Sequence, residues 1–176
     1  MKFIIENNPF DNPKEVLGDI ELIPANEFEE WCMQKPKKCL EKITTTKAIY
    51  EYIDGKGWKV IGGVGLNDKN LTKIPIKFYE VFGVFTISDN PNLKSLKNSP
   101  IRVFNGFFAI NTGLTSLEWA PRHVDGSFIV EKCDIQDLGN TLKYVGGNFW
   151  ITHQKTKRWS EREIRKKIKV KGKVVT

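Results

Sequence analysis

The sequence predicts a mostly β fold: a solenoid of about five repeats, each 20–23 residues long, closed at both ends by short helical caps. Glycines recur at Gly62, Gly83, Gly106, Gly126 and Gly147, at intervals of 21, 23, 20 and 21 residues. Each sits in one context: Val60-x-Gly62-x-Val64-x-Leu66, Val81-x-Gly83-x-Phe85-x-Ile87, Phe104-x-Gly106-x-Phe108-x-Ile110, Val124-x-Gly126-x-Phe128-x-Val130 and Val145-x-Gly147-x-Phe149-x-Ile151. Apolar residues alternate with period two there, the spacing of a strand with one buried face. A unit this short cannot bury that face alone, so neighbours must stack.

Residues 1–47 lack the repeat and read as an N-terminal helical cap. Pro9, Pro13 and Pro24 punctuate an irregular start, and Asn26 is placed to cap a helix whose Phe28, Trp31 and Cys32 share one face. Pro36 ends that helix and opens a second, over about 36–43, with Cys39, Leu40 and Ile43 on one side. Residues 48–152 form the solenoid with its opening hairpin. Strands over 48–53 and 58–61 flank Asp54-Gly55-Lys56-Gly57, a turn supplied with glycine. Each repeat then carries an L-x-x-L segment, at Leu71/Ile74, Leu93/Leu96, Leu114/Leu117 and Ile135/Leu138, followed by a corner residue, Pro75, Pro100, Pro121 or Leu142. Residues 153–176 read as a basic C-terminal cap: Ser160-Glu161-Arg162-Glu163 is a capping box, and Trp159, Ile164 and Ile168 are spaced to cover the last coil. Lys169 to Val175 alternates charge and apolar as an edge strand or hairpin.

The net charge of +7 is uneven: residues 1–35 carry −5, residues 36–154 carry +4 and residues 155–176 carry +8. So dense a basic segment fits a nucleic-acid contact, an acidic protein surface or simple solvation. Cys32, Cys39 and Cys133 are odd in number and lack zinc spacing, so they read as reduced thiols without a metal. His123 and His153, expected in a corner and a surface turn, have no nucleophile or carboxylate at triad spacing. Gly62-Gly63-Val64-Gly65 lacks the lysine of a phosphate loop. The chain therefore reads as a binding protein without cofactor, metal or small-molecule substrate. No run is long enough to span a bilayer and no signal sequence is evident, which places it in the cytosol without a membrane partner.

The run Leu114-Thr-Ser-Leu117-Glu-Trp-Ala-Pro121-Arg-His-Val124-Asp-Gly126-Ser-Phe128 resembles the degenerate leucine-rich repeats common in tailed-phage genomes, which approximate L-x-S-L-E-G-A-P-x-x-V-G-G-x-F. The likeness covers residues 60–152 and departs from the pattern at Trp119, where the family usually has glycine, and at Pro75, which arrives early. It implies a phage-encoded intracellular solenoid, and no chemistry. In such repeats an Asn or Cys at the turn bonds the backbone of adjacent coils; Asn90 and Cys133 take that place, with Lys69 and Gly113 at the corresponding positions elsewhere.

Function is expected to be steric: binding a host protein of the transcription, translation or defence machinery in the bacterial cytosol. The partner site is expected on the outward face of the first-strand sheet, at Phe82, Val84, Phe107, Ile129 and Trp150, because apolar side chains pointing from a core mark an interface. The alternative is a nucleic-acid binder using Lys155, Lys157, Arg158, Arg162, Arg165, Lys166 and Lys169, with Trp150 and Trp159 as stacking aromatics.

Overall fold

The computed structural model describes Ile23 and residues 27–176; the prolines at 9, 13 and 24 and the expected cap Asn26 lie outside the described residues. The chain opens with helices α1 (Phe28–Gln34) and α2 (Pro36–Ile43), whose buried faces, Phe28, Trp31 and Cys32 on one and Cys39, Leu40 and Ile43 on the other, are those the spacing predicts. Glu27 precedes α1 without a side-chain cap. Glu29 of α1 fixes this cap to the first coil by accepting hydrogen bonds from the Thr72 and Lys73 backbone N–H groups and the Thr72 hydroxyl.

One expectation fails here. Cys32 and Cys39 are joined in a disulfide that ties α1 to α2. Pro36 turns the chain between two helices, and this brings residues only seven apart within bonding reach, a geometry that an odd cysteine count does not reveal.

The hairpin β1 (Ile49–Ile53) and β2 (Gly57–Ile61) leads into the coils. Each coil contributes one strand to each of two sheets. The seven-stranded sheet contains β1 and β2, then β4 (Phe78–Val81), β6 (Arg102–Val103), β8 (His123–Val124), β10 (Tyr144–Val145) and β12 (Lys169–Val170). The six-stranded sheet contains β3 (Val64–Gly65), β5 (Phe85–Thr86), β7 (Phe107–Phe108), β9 (Phe128–Ile129), β11 (Phe149–Trp150) and β13 (Val174–Val175). Among the described residues only β1–β2 pair antiparallel within the sheets; coil-to-coil pairs are parallel and in register, apart from a shift between Trp58 and Lys59 where β2 meets β4. The L-x-x-L residues form a third, strandless wall, all essentially inaccessible to solvent. The result is a leucine-rich-repeat-like β solenoid.

In-register stacking puts like on like. Phe85, Phe107, Phe128 and Phe149 make an internal ladder with centroids 5.7, 4.8 and 5.4 Å apart and nearly parallel rings. Gly83 shows why the corner needs glycine: a Cβ there would collide with the Gly62 carbonyl of the preceding coil.

Two features correct the repeat count and phase. The third unit runs Val103-x-Asn105-x-Phe107-x-Ala109, one residue ahead of the glycine-based alignment, so Phe107 and Ala109 are buried while Phe104, Phe108 and Ile110 lie half-buried on the outside. A sixth turn follows the predicted five: Val170 and Val174 pair with Val145 and Phe149, so β12 and β13 extend both sheets and do not form a hairpin. Helix α3 (Glu161–Lys167) is inserted before this turn. Its capping box is formed by Ser160 and Glu163, and Trp159, Ile164 and Ile168 are buried against the coil as expected.

The turn ladder comprises Asn90, Thr112, Cys133 and Gln154, with Thr112 rather than Gly113 in the third unit. Asn90 is fully buried and makes five hydrogen bonds: its Nδ2 donates to the carbonyls of Leu66, Ile87 and Ser88, and its Oδ1 accepts from Lys69 and Leu71 N–H. The Cys133 thiol donates to the Ala109 and Glu131 carbonyls and lies 3.1 Å from the Thr112 hydroxyl, and burial pushes its pKa up. Gln154 bridges Val130, Thr152 and Ile135 in the same way. Trp119 has φ 67° and shares left-handed geometry with Asn98 one coil earlier, at a place that favours glycine.

Candidate protein-interaction face

The outer surface of the six-stranded sheet is set by register. Gly65, Thr86, Phe108, Ile129, Trp150 and Val175 pair in sequence, one per coil, and so line up in a single row. Four consecutive members are apolar and half-buried, Phe108 to Val175. The tip of the Phe108 ring reaches over Gly106, where a Cβ would meet its Cζ at 2.6 Å. The row has a polar rim. The Ser127 hydroxyl accepts from Asn148 N–H at 3.1 Å, the Asn148 side-chain carbonyl accepts from Lys173 N–H at 2.9 Å, and the Thr152 hydroxyl donates to Glu131 at 2.8 Å. Apolar centre and hydrogen-bonded rim form the pattern of a protein interface.

The five residues expected on this face are divided by the structure. Ile129 and Trp150 stand in the row, and Val84 lies at its N-terminal end, in an open cleft of about 330 Å³ that also includes Ile43, Thr45 and Thr86. Phe107 is fully buried in the ladder, which corrects its assignment as an outward contact. The run Gly106-Phe107-Phe108 offers two aromatic phases: anchoring on glycine puts Phe107 outward, whereas anchoring on the repeating valines puts Phe108 there, as the structure does. Phe82 points outward but belongs to another corner, where it stacks on Phe104 at 3.9 Å beneath Lys59, while Arg102 covers Phe104 and pairs with Asp125 at 2.9 Å.

At the C-terminal end Lys155, Arg158, Arg162, Lys166 and Lys169 are exposed. Lys157 is folded onto Trp159, its ammonium 3.4 Å from the ring centroid. Arg165 is largely committed to structure: it pairs with Glu161 at 2.6 Å and donates to the Val170 and Gly172 carbonyls, stapling α3 to the last turn. The solenoid also supplies counter-charge. Asp137 is held below the usual carboxylate range by the Gly139 N–H, then by the Ser116 hydroxyl and by Lys167 and Lys157. Asp134 is likewise lowered, chiefly by the Thr156 hydroxyl.

His123 lies on β8, not in a corner, and stacks on Tyr144 at 4.3 Å; His153 is on an exposed turn with Nδ1 2.9 Å from the Thr152 hydroxyl. Among the described residues no three His, Cys, Asp or Glu side chains converge as a metal site, and no helix is long and apolar enough to cross a membrane. Comparisons with protein-family models, with curated proteins and with solved structures return no match to this chain.

Proposed function

We propose that this protein is a phage-encoded binding scaffold that occupies a surface of a host bacterial protein and alters its activity sterically, without catalysis. The observation that carries the reading is the row Phe108, Ile129, Trp150 and Val175, four apolar side chains in register on one sheet face. Rigid parallel coils hold such a row ready for a partner, so little ordering entropy is lost on binding. The same reading places the protein in the host cytosol, where the Cys32–Cys39 bridge would stand reduced as a dithiol. The nucleic-acid reading is weaker because Asp134, Asp137 and Glu161 balance part of the C-terminal charge from within the molecule.

The test is capture from infected bacterial lysate, half of it nuclease-treated, with tagged wild type and with Ile129→Ala and Trp150→Ala. One host protein retained by the wild type in both halves, and weakened by about 1 kcal/mol or more in each variant, is expected. Capture that vanishes with nuclease, or that both variants retain in full, refutes the reading.

A further inference from the structure

Strand β1 ends the seven-stranded sheet, and among the described residues its outer edge has no strand partner. Sheet edges are ordinarily blunted by lysine, proline or brevity. The C-terminal edge follows that rule, with Lys169, Lys171 and Lys173 around two-residue strands. The β1 edge does not. It runs five residues, Ile49-Tyr50-Glu51-Tyr52-Ile53, with neither lysine nor proline, and Ile49 and Tyr52 are 64% and 55% exposed. An apolar stripe leads up to it: Ile49 pairs with Ile61, itself 50% exposed, and the stacked Phe82 and Phe104 follow on the next two coils. Tyr50 and Tyr52 pack edge-on against Trp58 at 6.1 and 5.3 Å, so the strand is held in place.

The five residues read the same in both directions. We propose that β1 pairs antiparallel with β1 of a second copy of this chain, about a two-fold axis through Glu51, joining the two seven-stranded sheets into one. A two-fold interface requires a surface complementary to itself, and a palindromic strand meets that requirement along its whole length. Ile49 then faces Ile53 of the second copy and Tyr50 faces its Tyr52, while the apolar stripe continues across the axis. Glu51 faces its own copy, a like-charge pair, and each glutamate is flanked in register by Lys59. That arrangement gives a dimer of limited strength and a defined register. It leaves the outer face of the six-stranded sheet free, so it does not depend on the function proposed above.

Sedimentation equilibrium on the full chain is the test. The 20.2 kDa monomer is expected to double in mass with a dissociation constant on the order of 10 μM, in keeping with a small interface. Ile49→Lys should weaken dimerisation at least about tenfold by placing a charge against an apolar partner at the edge. Glu51→Gln should tighten it roughly two- to fivefold, and Glu51→Lys should weaken it, because cross-strand like charges oppose pairing. Both positions are exposed, so circular dichroism and melting should match the wild type, and the two Glu51 variants keep the test valid if Ile49→Lys fails to fold. A wild type still monomeric at ~1 mM overturns the proposal. So does a dimer indifferent to every one of these substitutions.

Discussion

Replacing Phe107 and Phe108 separately by alanine tests the phase of the third coil, on which the composition of the outer row depends. Phe107 is fully buried and stacked on Phe85 and Phe128 at 5.7 and 4.8 Å, so its truncation removes an entire core ring and both contacts. The coils above and below are held by in-register backbone pairing and cannot collapse into the space, which places the loss near the upper part of the roughly 3–5 kcal/mol range for such changes. At about 2–4 °C per kcal/mol for a chain of this size, the melting temperature should fall by roughly 8–16 °C. Phe108, half-buried on the outer face over Gly106, should cost only about 1 kcal/mol. Urea melts followed by circular dichroism measure both, and the similarity of the two side chains removes residue type as a variable. If Phe108→Ala proves as costly as Phe107→Ala, the coil is phased on Gly106 and the row described above is wrong.

Asn90→Ala should cost about 3 kcal/mol or more in the same melts, since two N–H donors and three carbonyls lose their shared partner in a site closed to water; a loss under about 1 kcal/mol would mean that solvent reaches that turn. Reduction of the Cys32–Cys39 bridge should destabilise the helical cap by about 2.5 kcal/mol on loop-closure entropy, and Cys32→Ser should reproduce that loss and abolish the response to reductant. Equal melting with and without reductant would contradict it.

The repeat and its inward residues were legible because in-register stacking makes each coil solve the same packing problem, so Val81, Val124 and Val145 recur with their phenylalanines. A glycine-based alignment puts the third coil out of phase because glycine is not what that problem demands. The corner at Gly83 needs it for close backbone approach, but Asn105 serves at the equivalent place, and Gly106 is small for a different reason, to leave room for the tip of the Phe108 ring. Valine is the better anchor, since every coil needs a β-branched side chain at the start of the inner wall, including Val170 in the sixth turn that the α3 insertion hides. Of the expected partner face, Ile129 and Trp150 stand in the row because alternation alone fixes them. Arg165 shows the limit on the other side: charge and helical spacing put it toward water, whereas its guanidinium reaches back to carbonyls of the following turn, a contact set by tertiary geometry.

The turn ladder has an implication for how such a chain changes length. Asn90, Thr112, Cys133 and Gln154 meet the same backbone demand with four different side chains, and each coil touches only its neighbours. Duplicating residues 103–123 would therefore insert a whole coil between intact ends, adding one strand to each sheet and about 4.8 Å to the solenoid. The outer row would gain one position, while the helical cap at one end and the α3 staple at the other would keep their own contacts. Reach becomes a quantity adjustable in single steps, independent of the chemistry at either terminus.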